Sequence, residues 1–222
     1  MLKKMMTLLI GMSSVVIAQS KQGPTVPAAL LVHASRPVSD FTQYLAEMSV
    51  PAGVEIRRID NAWFSQLESN IDRKATVALQ EVIQAFNKSH REYQAQLMDG
   101  VLVVRPIQRR ATFLDQSSTL PRVDVTGVRT ALDRVFAQLK PALAGAGGRT
   151  GSYLGGAADD FGDQTVISLD GIDRKVINVL NQIVRQAPRT WLVETSDDDT
   201  SARVVRFGML LPNGKGSIQQ LN

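Results

Sequence analysis

Residues Val166–Met209 read VISLDGIDRKVINVLNQIVRQAPRTWLVETSDDDTSARVVRFGM, and two periods follow each other within them. Val166-Ile167-Ser168-Leu169 is a short apolar run of strand length. Val176, Leu180, Ile183, Val184 and Ala187 then recur at helical spacing, with Asp173 placed as an N-cap and Pro188 as a stop. Trp191-Leu192-Val193-Glu194 opens a hairpin that Ala202–Met209 closes. The expected order is strand, helix, strand, turn, strand.

A shorter version of this pattern lies upstream. Leu79-x-x-Val82-Ile83 matches Leu180-x-x-Ile183-Val184, and Val103-Val104-Arg105 matches Val204-Val205-Arg206, both at a separation of 101 residues. Tyr93 falls near the position of Trp191, each opening the strand that follows its helix. The upstream hairpin has the tight dipeptide Asp99-Gly100, which predicts a type I′ turn with φ > 0 at both central residues. The downstream copy replaces it with the longer Ser196–Ser201. Each copy is preceded by an amphipathic helix and a strand. Phe41, Tyr44, Leu45 and Met48 mark the first such helix, capped by Ser39 or Asp40 and ended by Pro51 and Gly53; Val54–Arg57 then alternates as a half-buried strand. Thr76 is placed to cap the helix that carries Leu79. Val128, Ala131, Leu132, Val135, Phe136 and Leu139 mark the second copy's first helix, which Pro141 should end.

The expected fold is therefore α+β, with two tandem helix–strand–helix–β-hairpin modules and small mixed sheets. The expected boundaries are a signal peptide over 1–18, a flexible lead-in over 19–36, a first module over 37–106, a linker over 107–122, a second module over 123–211 and a tail over 212–222. The linker is basic at Arg109 and Arg110 and then Ser/Thr-rich up to Pro121.

The first eighteen residues have the three parts of an export signal. Lys3 and Lys4 form the basic start, Thr7–Ala18 is mostly apolar, and Val16-Ile17-Ala18 sets small residues before a cleavage point between Ala18 and Gln19. Beyond Gln19 no apolar run approaches the roughly 20 residues that span a bilayer, so no transmembrane anchor is expected after signal removal. Without Lys3 and Lys4 there are 23 basic side chains against 21 acidic ones, which makes no case for a nucleic-acid partner. With no cysteine in the chain, disulfides, thiolate metal sites and a cysteine nucleophile are excluded.

The run VISLDGIDRKVINVLNQIVRQAPRTWLVE, with the later Val-Val-Arg strand, resembles the short N-terminal domains of secretins and TonB-dependent receptors. Those run as an apolar strand, an L-x-x-I/L helix, and strands patterned x-W/Y-x-V and V-V. The resemblance covers roughly residues 123–209 and, more weakly, 41–106. Asp99–Pro106, DGVLVVRP, is also similar to the middle of exported bacterial proteins. No β-barrel or pore segment accompanies the resemblance here, so it implies an envelope protein that binds partners and carries no fixed catalytic residue.

The chain carries few residues in patterns that chemistry requires. The two histidines, His33 and His90, have no paired spacing for zinc, and His90 is placed where a cation meets the carbonyl end of a helix. No Gly-x-Ser-x-Gly run is present. The glycine-rich loop around Gly145–Ser152 lacks the lysine of a phosphate-binding loop, and its Gly148-Arg149-Thr150-Gly151 reads as a mobile linker in an exported chain. Asp159, Asp160 and Asp163, and Asp197–Asp199, have no EF-hand spacing and read as solvated turns. Trp63 and Phe64 beside Leu67 read as a core plug rather than a cleft.

No catalytic, cofactor-binding or metal-ligating residue is assigned, and no cofactor. The expected function is a non-enzymatic, periplasmic or secreted bacterial module that binds an envelope protein through exposed hairpin edges. The candidate positions are Val101, Val103 and Arg105 in one edge and Val204 and Arg206 in the other. The competing expectation is a periplasmic enzyme, or a protein binding a small ligand or cell wall, that uses the 144–163 loop and Trp63.

Overall fold

The computed structural model describes residues 23–57, 74–145, 164–195 and 204–210, with the backbone alone at 139–145 and 204–206. The signal segment with Ala18 and Gln19, Trp63 with Phe64 and Leu67, nearly all of the glycine-rich loop, both acidic runs and the tail lie outside the described residues.

The chain is mixed α+β. In order it forms β1 (Thr25–Pro27), α1 (Ala29–His33), α2 (Val38–Glu47), β2 (Ala52–Arg57), β3 (Thr76–Ala78), α3 (Leu79–Ser89), β4 (Tyr93–Met98) and β5 (Val101–Pro106). A 3₁₀ turn (Thr112–Asp115) leads to β6 (Val123–Thr126), α4 (Val128–Gly145), β7 (Val166–Leu169), α5 (Val176–Gln186), β8 (Thr190–Thr195) and β9 (Val204–Leu210). One sheet has the order β4-β5-β2-β8-β9, and two small antiparallel pairs, β1-β3 and β6-β7, stand apart from it.

The hairpins β4-β5 and β8-β9 do not each carry a sheet of their own. They flank β2, which runs parallel to β5 on one side and to β8 on the other. Helices cover both faces of this sheet. Against one face, α1, α2 and α3 bring Leu30, Phe41, Leu45, Val82 and Phe86 onto Val54, Val104 and Leu192. Against the other, α4, α5 and the β6-β7 pair bring Leu132, Ile167, Leu180 and Ile183 onto Val103, Trp191 and Phe207. A strand with two covered faces needs apolar residues in succession rather than in alternation, which is why β5 reads Val-Leu-Val-Val and β8 Trp-Leu-Val. It also corrects the half-buried reading of β2: Glu55 is fully buried.

Other local expectations change for similar reasons. Thr76 caps nothing, because it pairs with Pro27 in the β1-β3 ladder, and α3 starts from Ala78 with no side-chain cap. Asp173 sits at φ 58° in the turn before α5, whose N-cap is Lys175. α2 follows Pro37 directly, without Ser39 or Asp40 as cap. Gly53 does not end α2; it lies inside β2 opposite Trp191. α4 continues past Pro141 to Gly145. The lead-in contributes β1 and α1 with buried Val26 and Leu30. Finally, 107–122 is no solvated spacer: Ala111, Phe113, Leu114 and Leu120 enter the core, and the Gln116 carbonyl accepts from the Val176 N–H. Asp99 and Gly100 do adopt φ 51° and 79°, as a type I′ turn requires.

Candidate functional site

The residues of the first candidate edge are not at an edge. β5 has β4 on one side and β2 on the other, so Val101, Val103 and Arg105 have no backbone group left for a partner strand. Their apolar run reflects burial on two faces; Val101 and Val103 are fully buried. An interior strand and an apolar edge strand look alike in sequence, and only the parallel pairing to β2 separates them.

Arg105 closes a buried ionic cluster instead. Its Nε donates to Glu55 Oε2 at 2.7 Å, and its two terminal nitrogens donate to Asp115 Oδ1 and Oδ2 at 3.0 and 2.9 Å. The second terminal nitrogen also reaches the Ala111 carbonyl at 3.3 Å, and the Ala111 N–H donates back to Glu55 Oε1. This fork ties β2, β5 and the 3₁₀ turn together. Burial pushes the Glu55 carboxyl above its ordinary range, and Arg105 and the Ala111 N–H offset this only in part. For the more open Asp115, burial also works against ionisation, but the Arg105 bonds and charge outweigh it and hold the carboxyl below its usual range. The cluster has the signature of a structural tie.

Val204 and Arg206 lie on β9, which has one neighbouring strand among the described residues. Among the described residues β9 pairs only with β8, in an antiparallel register from Thr190 opposite Leu210 to Thr195 opposite Val204, with an irregularity near Thr195. Which backbone groups face outward follows from the ladder. The Ala52 N–H donates to the Arg189 carbonyl, so alternate residues of β8 from 189 turn toward β2, and Thr190, Leu192 and Glu194 turn toward β9. Their partners Leu210, Gly208 and Arg206 face back to β8. Phe207 and Met209 therefore present their N–H and C=O groups on the outer side, while their side chains are buried in the core.

The opposite outer strand, β4, differs. The Leu102 N–H donates to the Pro51 carbonyl, so Leu102 and Val104 face β2, and their partners Leu97 and Ala95 face away from β5. At Ala95 that outward position is taken. Asn87 of α3 accepts from the Ala95 N–H at 2.7 Å and donates to the Ala95 carbonyl at 2.9 Å. The small pair β6-β7 repeats the device. Gln186 accepts from the Ser168 N–H and donates to the Ser168 carbonyl, both at 2.9 Å. Gln182 accepts from the Asp170 N–H at 2.9 Å and donates to its carbonyl at 2.8 Å. Among the described residues no side-chain amide stands in this way on β9.

The remaining candidates are dispersed. His33 is buried at the end of α1 and stacks on Tyr44 with ring centroids 3.5 Å apart. His90 follows α3: it stacks on Phe86, with Nδ1 3.1 Å from the Phe86 carbonyl and Nε2 2.9 Å from the Arg36 carbonyl. Both histidines join helices. Arg110 donates from Nε to the Pro106 carbonyl at 2.7 Å, so it is part of the turn after β5. Among the described residues no group of three or more His, Asp or Glu could hold a metal ion. No helix among them is long and apolar enough to cross a membrane.

Sequence reasoning missed Asn87, Gln182 and Gln186. The signal for the pair is Gln-x-x-x-Gln on α5, which matches a solvated helix face until β7 is known to lie beside it. Comparison of the chain with protein-family models, with curated proteins and with solved structures gives no match.

Proposed function

We propose that this chain is an exported, non-enzymatic protein-interaction module of the bacterial envelope that takes an extended segment of another protein onto the outer side of β9. The observation that carries the reading is the position of β9: among the described residues it is an outer strand, whose Phe207 and Met209 backbone groups face away from β8. A sheet edge of this kind recognises backbone first, with register set by flanking side chains, so it needs no catalytic residue and no cofactor. Docking there is the strand-addition mode, with an envelope protein as partner.

The same reading takes the chain as two tandem units of one pattern, similar to the short N-terminal domains of secretins and TonB-dependent receptors. Its support is the repeated order β1-α2-β3-α3-β4-β5 and β6-α4-β7-α5-β8-β9, with β1-β3 and β6-β7 as the matching antiparallel pairs and α1 and β2 as additions to the first unit. Here the units meet through β2 and share a sheet.

The test uses a photo-crosslinking residue at Leu210, with Gln96 on β4 as control, in the full chain incubated with envelope extract. The reading expects a protein adduct from position 210 and none from 96. Absence of an adduct at 210, or equal adducts at both positions, overturns it.

A further inference from the structure

We propose that Asn87 is an edge plug: its amide stands where a second copy of this chain would pair with β4, and the protein stays unpaired at that edge because the plug is in place. Gln186 does the same at Ser168 of β7, and Gln182 at Asp170 just past the end of that strand. This inference concerns β4 and β7 and does not rest on the reading of β9.

β4 lacks the usual protection of an outer strand. Outer strands are ordinarily protected by charge, proline, a bulge or shortness. β4 is Tyr-Gln-Ala-Gln-Leu-Met, six residues without charge or proline, in an unbroken register with β5. Leu97, whose backbone faces outward, also has an exposed side chain. Such a strand is a template for pairing, and its sequence is self-complementary. An antiparallel pairing of two copies about Ala95 sets Ala95 against Ala95, Gln94 against Gln96 and Tyr93 against Leu97. That is a closed two-fold contact with polar rows matched and no like charges opposed.

The outward groups are those of Tyr93, Ala95 and Leu97, so Ala95 is the centre of the exposed row. Asn87 supplies one donor and one acceptor to that residue, as a neighbouring strand would. A single amide breaks the row in its middle, because a second strand cannot reach Ala95 without displacing it.

The β7 edge shows that the geometry is not an isolated contact. Val166–Leu169 is again uncharged, and Val166 is exposed. Two glutamines four apart on a helix are separated by about 6 Å along its axis, and two residues two apart on a strand by roughly 6.6 Å. α5 running antiparallel to β7 therefore sets Gln186 on Ser168 and Gln182 on Asp170.

The test is Asn87→Ala in the full chain, followed by sedimentation velocity over a concentration series and by amide exchange at Ala95. Neutral hydrogen bonds of ordinary strength predict dimerisation at least roughly tenfold tighter than in the parent. Ala95 exchange should be faster in the dilute variant and slow again as the dimer forms. Adding Gln94→Lys and Gln96→Lys opposes like charges across the two-fold and should return the variant to monomer. If Asn87→Ala is poorly folded, Asn87→Asp carries the test: it keeps the acceptor for the Ala95 N–H, loses the donor, and should fall between parent and alanine. A well-folded variant that neither dimerises nor exchanges faster at Ala95 overturns the proposal. So does a dimer indifferent to the two lysines.

Discussion

At the scale of single residues, Gly53 is the least forgiving of the described glycines. A Cβ built there would lie 1.9 to 2.3 Å from three atoms of the Trp191 indole, which lies across the glycine in the paired register. Neither side can yield easily: β2 is held between two parallel strands, and the indole N–H donates to Asn181 Oδ1 at 3.0 Å in a fully buried site. Gly53→Ala is expected to cost stability at or above the upper end of the roughly 1–3 kcal/mol typical of overpacking. Trp191→Val costs stability as well, by removing a buried ring. In a denaturant-unfolding double-mutant cycle the pair should be less destabilised than the sum, because the valine removes the obstacle to the new methyl. Strict additivity would show that the indole does not determine the need for glycine.

Arg105 makes a second prediction at this scale, with a sign that pH exposes. Arg105→Met leaves the buried Glu55 without its counter-charge and is expected to cost about 3–5 kcal/mol at neutral pH. Asp115→Asn, at a more open carboxylate, should cost far less. Glu55 already has a raised pKa in the fold, so the folded state binds its proton at higher pH than the unfolded chain does. Its charge weighs against folding as pH rises from its ordinary value of 4.5 through the folded one. Asp115 has the opposite sign: its lowered pKa contributes stability that is full above 3.8 and is lost as pH falls through the folded value. The deficit of Arg105→Met should therefore shrink on acidification, as Glu55 becomes neutral. A deficit that is constant from pH 7 down to 4 would remove the buried charge as its cause.

At the scale of elements, the sequence was most legible where a backbone rule is local. The Asp99-Gly100 turn, β5 over Val101–Pro106 and β7 over Val166–Leu169 agree with expectation because turn chemistry and short apolar runs need no distant partner. The helix starts were misplaced because Thr76 and Asp173 are cap-like residues in other roles, one in a ladder and one at positive φ. The candidate edge at 101–105 failed for a deeper reason. Apolar succession reports burial on both faces but not which strand supplies it. β2 lies some fifty residues upstream, with polar Glu55 disguising its buried setting. At this scale α5 also invites a test. Gln186→Ala removes two hydrogen bonds from Ser168 in β7 and Gln182→Ala two from Asp170 just past its end, so exchange at Asp170 should accelerate in the Gln182 variant and at Ser168 in the Gln186 variant. Acceleration at neither amide would mean that β7 owes its order to β6 alone.

At the scale of the whole molecule, the position of β2 decides how the chain comes apart. The proposed repeat implies two units, one ending near Pro106 and one beginning near Val123. The pairing says otherwise about their independence. β2 from the first half is the neighbour of β8 from the second over six consecutive residue pairs, Ala52–Arg57 with Thr190–Thr195. The core beneath α5 includes Val101 and Val103 from the first half, and the segment 107–122 adds Phe113, Leu114 and Leu120 to it. Cutting there exposes β8 along one edge and leaves α5 with only part of its apolar bed. Residues 23–106 and 107–211, produced separately, are each expected to lack a cooperative thermal transition, whereas mixing them should restore one transition and slow exchange of the β2 and β8 amides. A cooperative transition in either piece alone would show that the shared sheet joins two modules already folded. Its absence would make the repeat a record of how the sequence is patterned, with folding assigned to the five-stranded sheet as a unit.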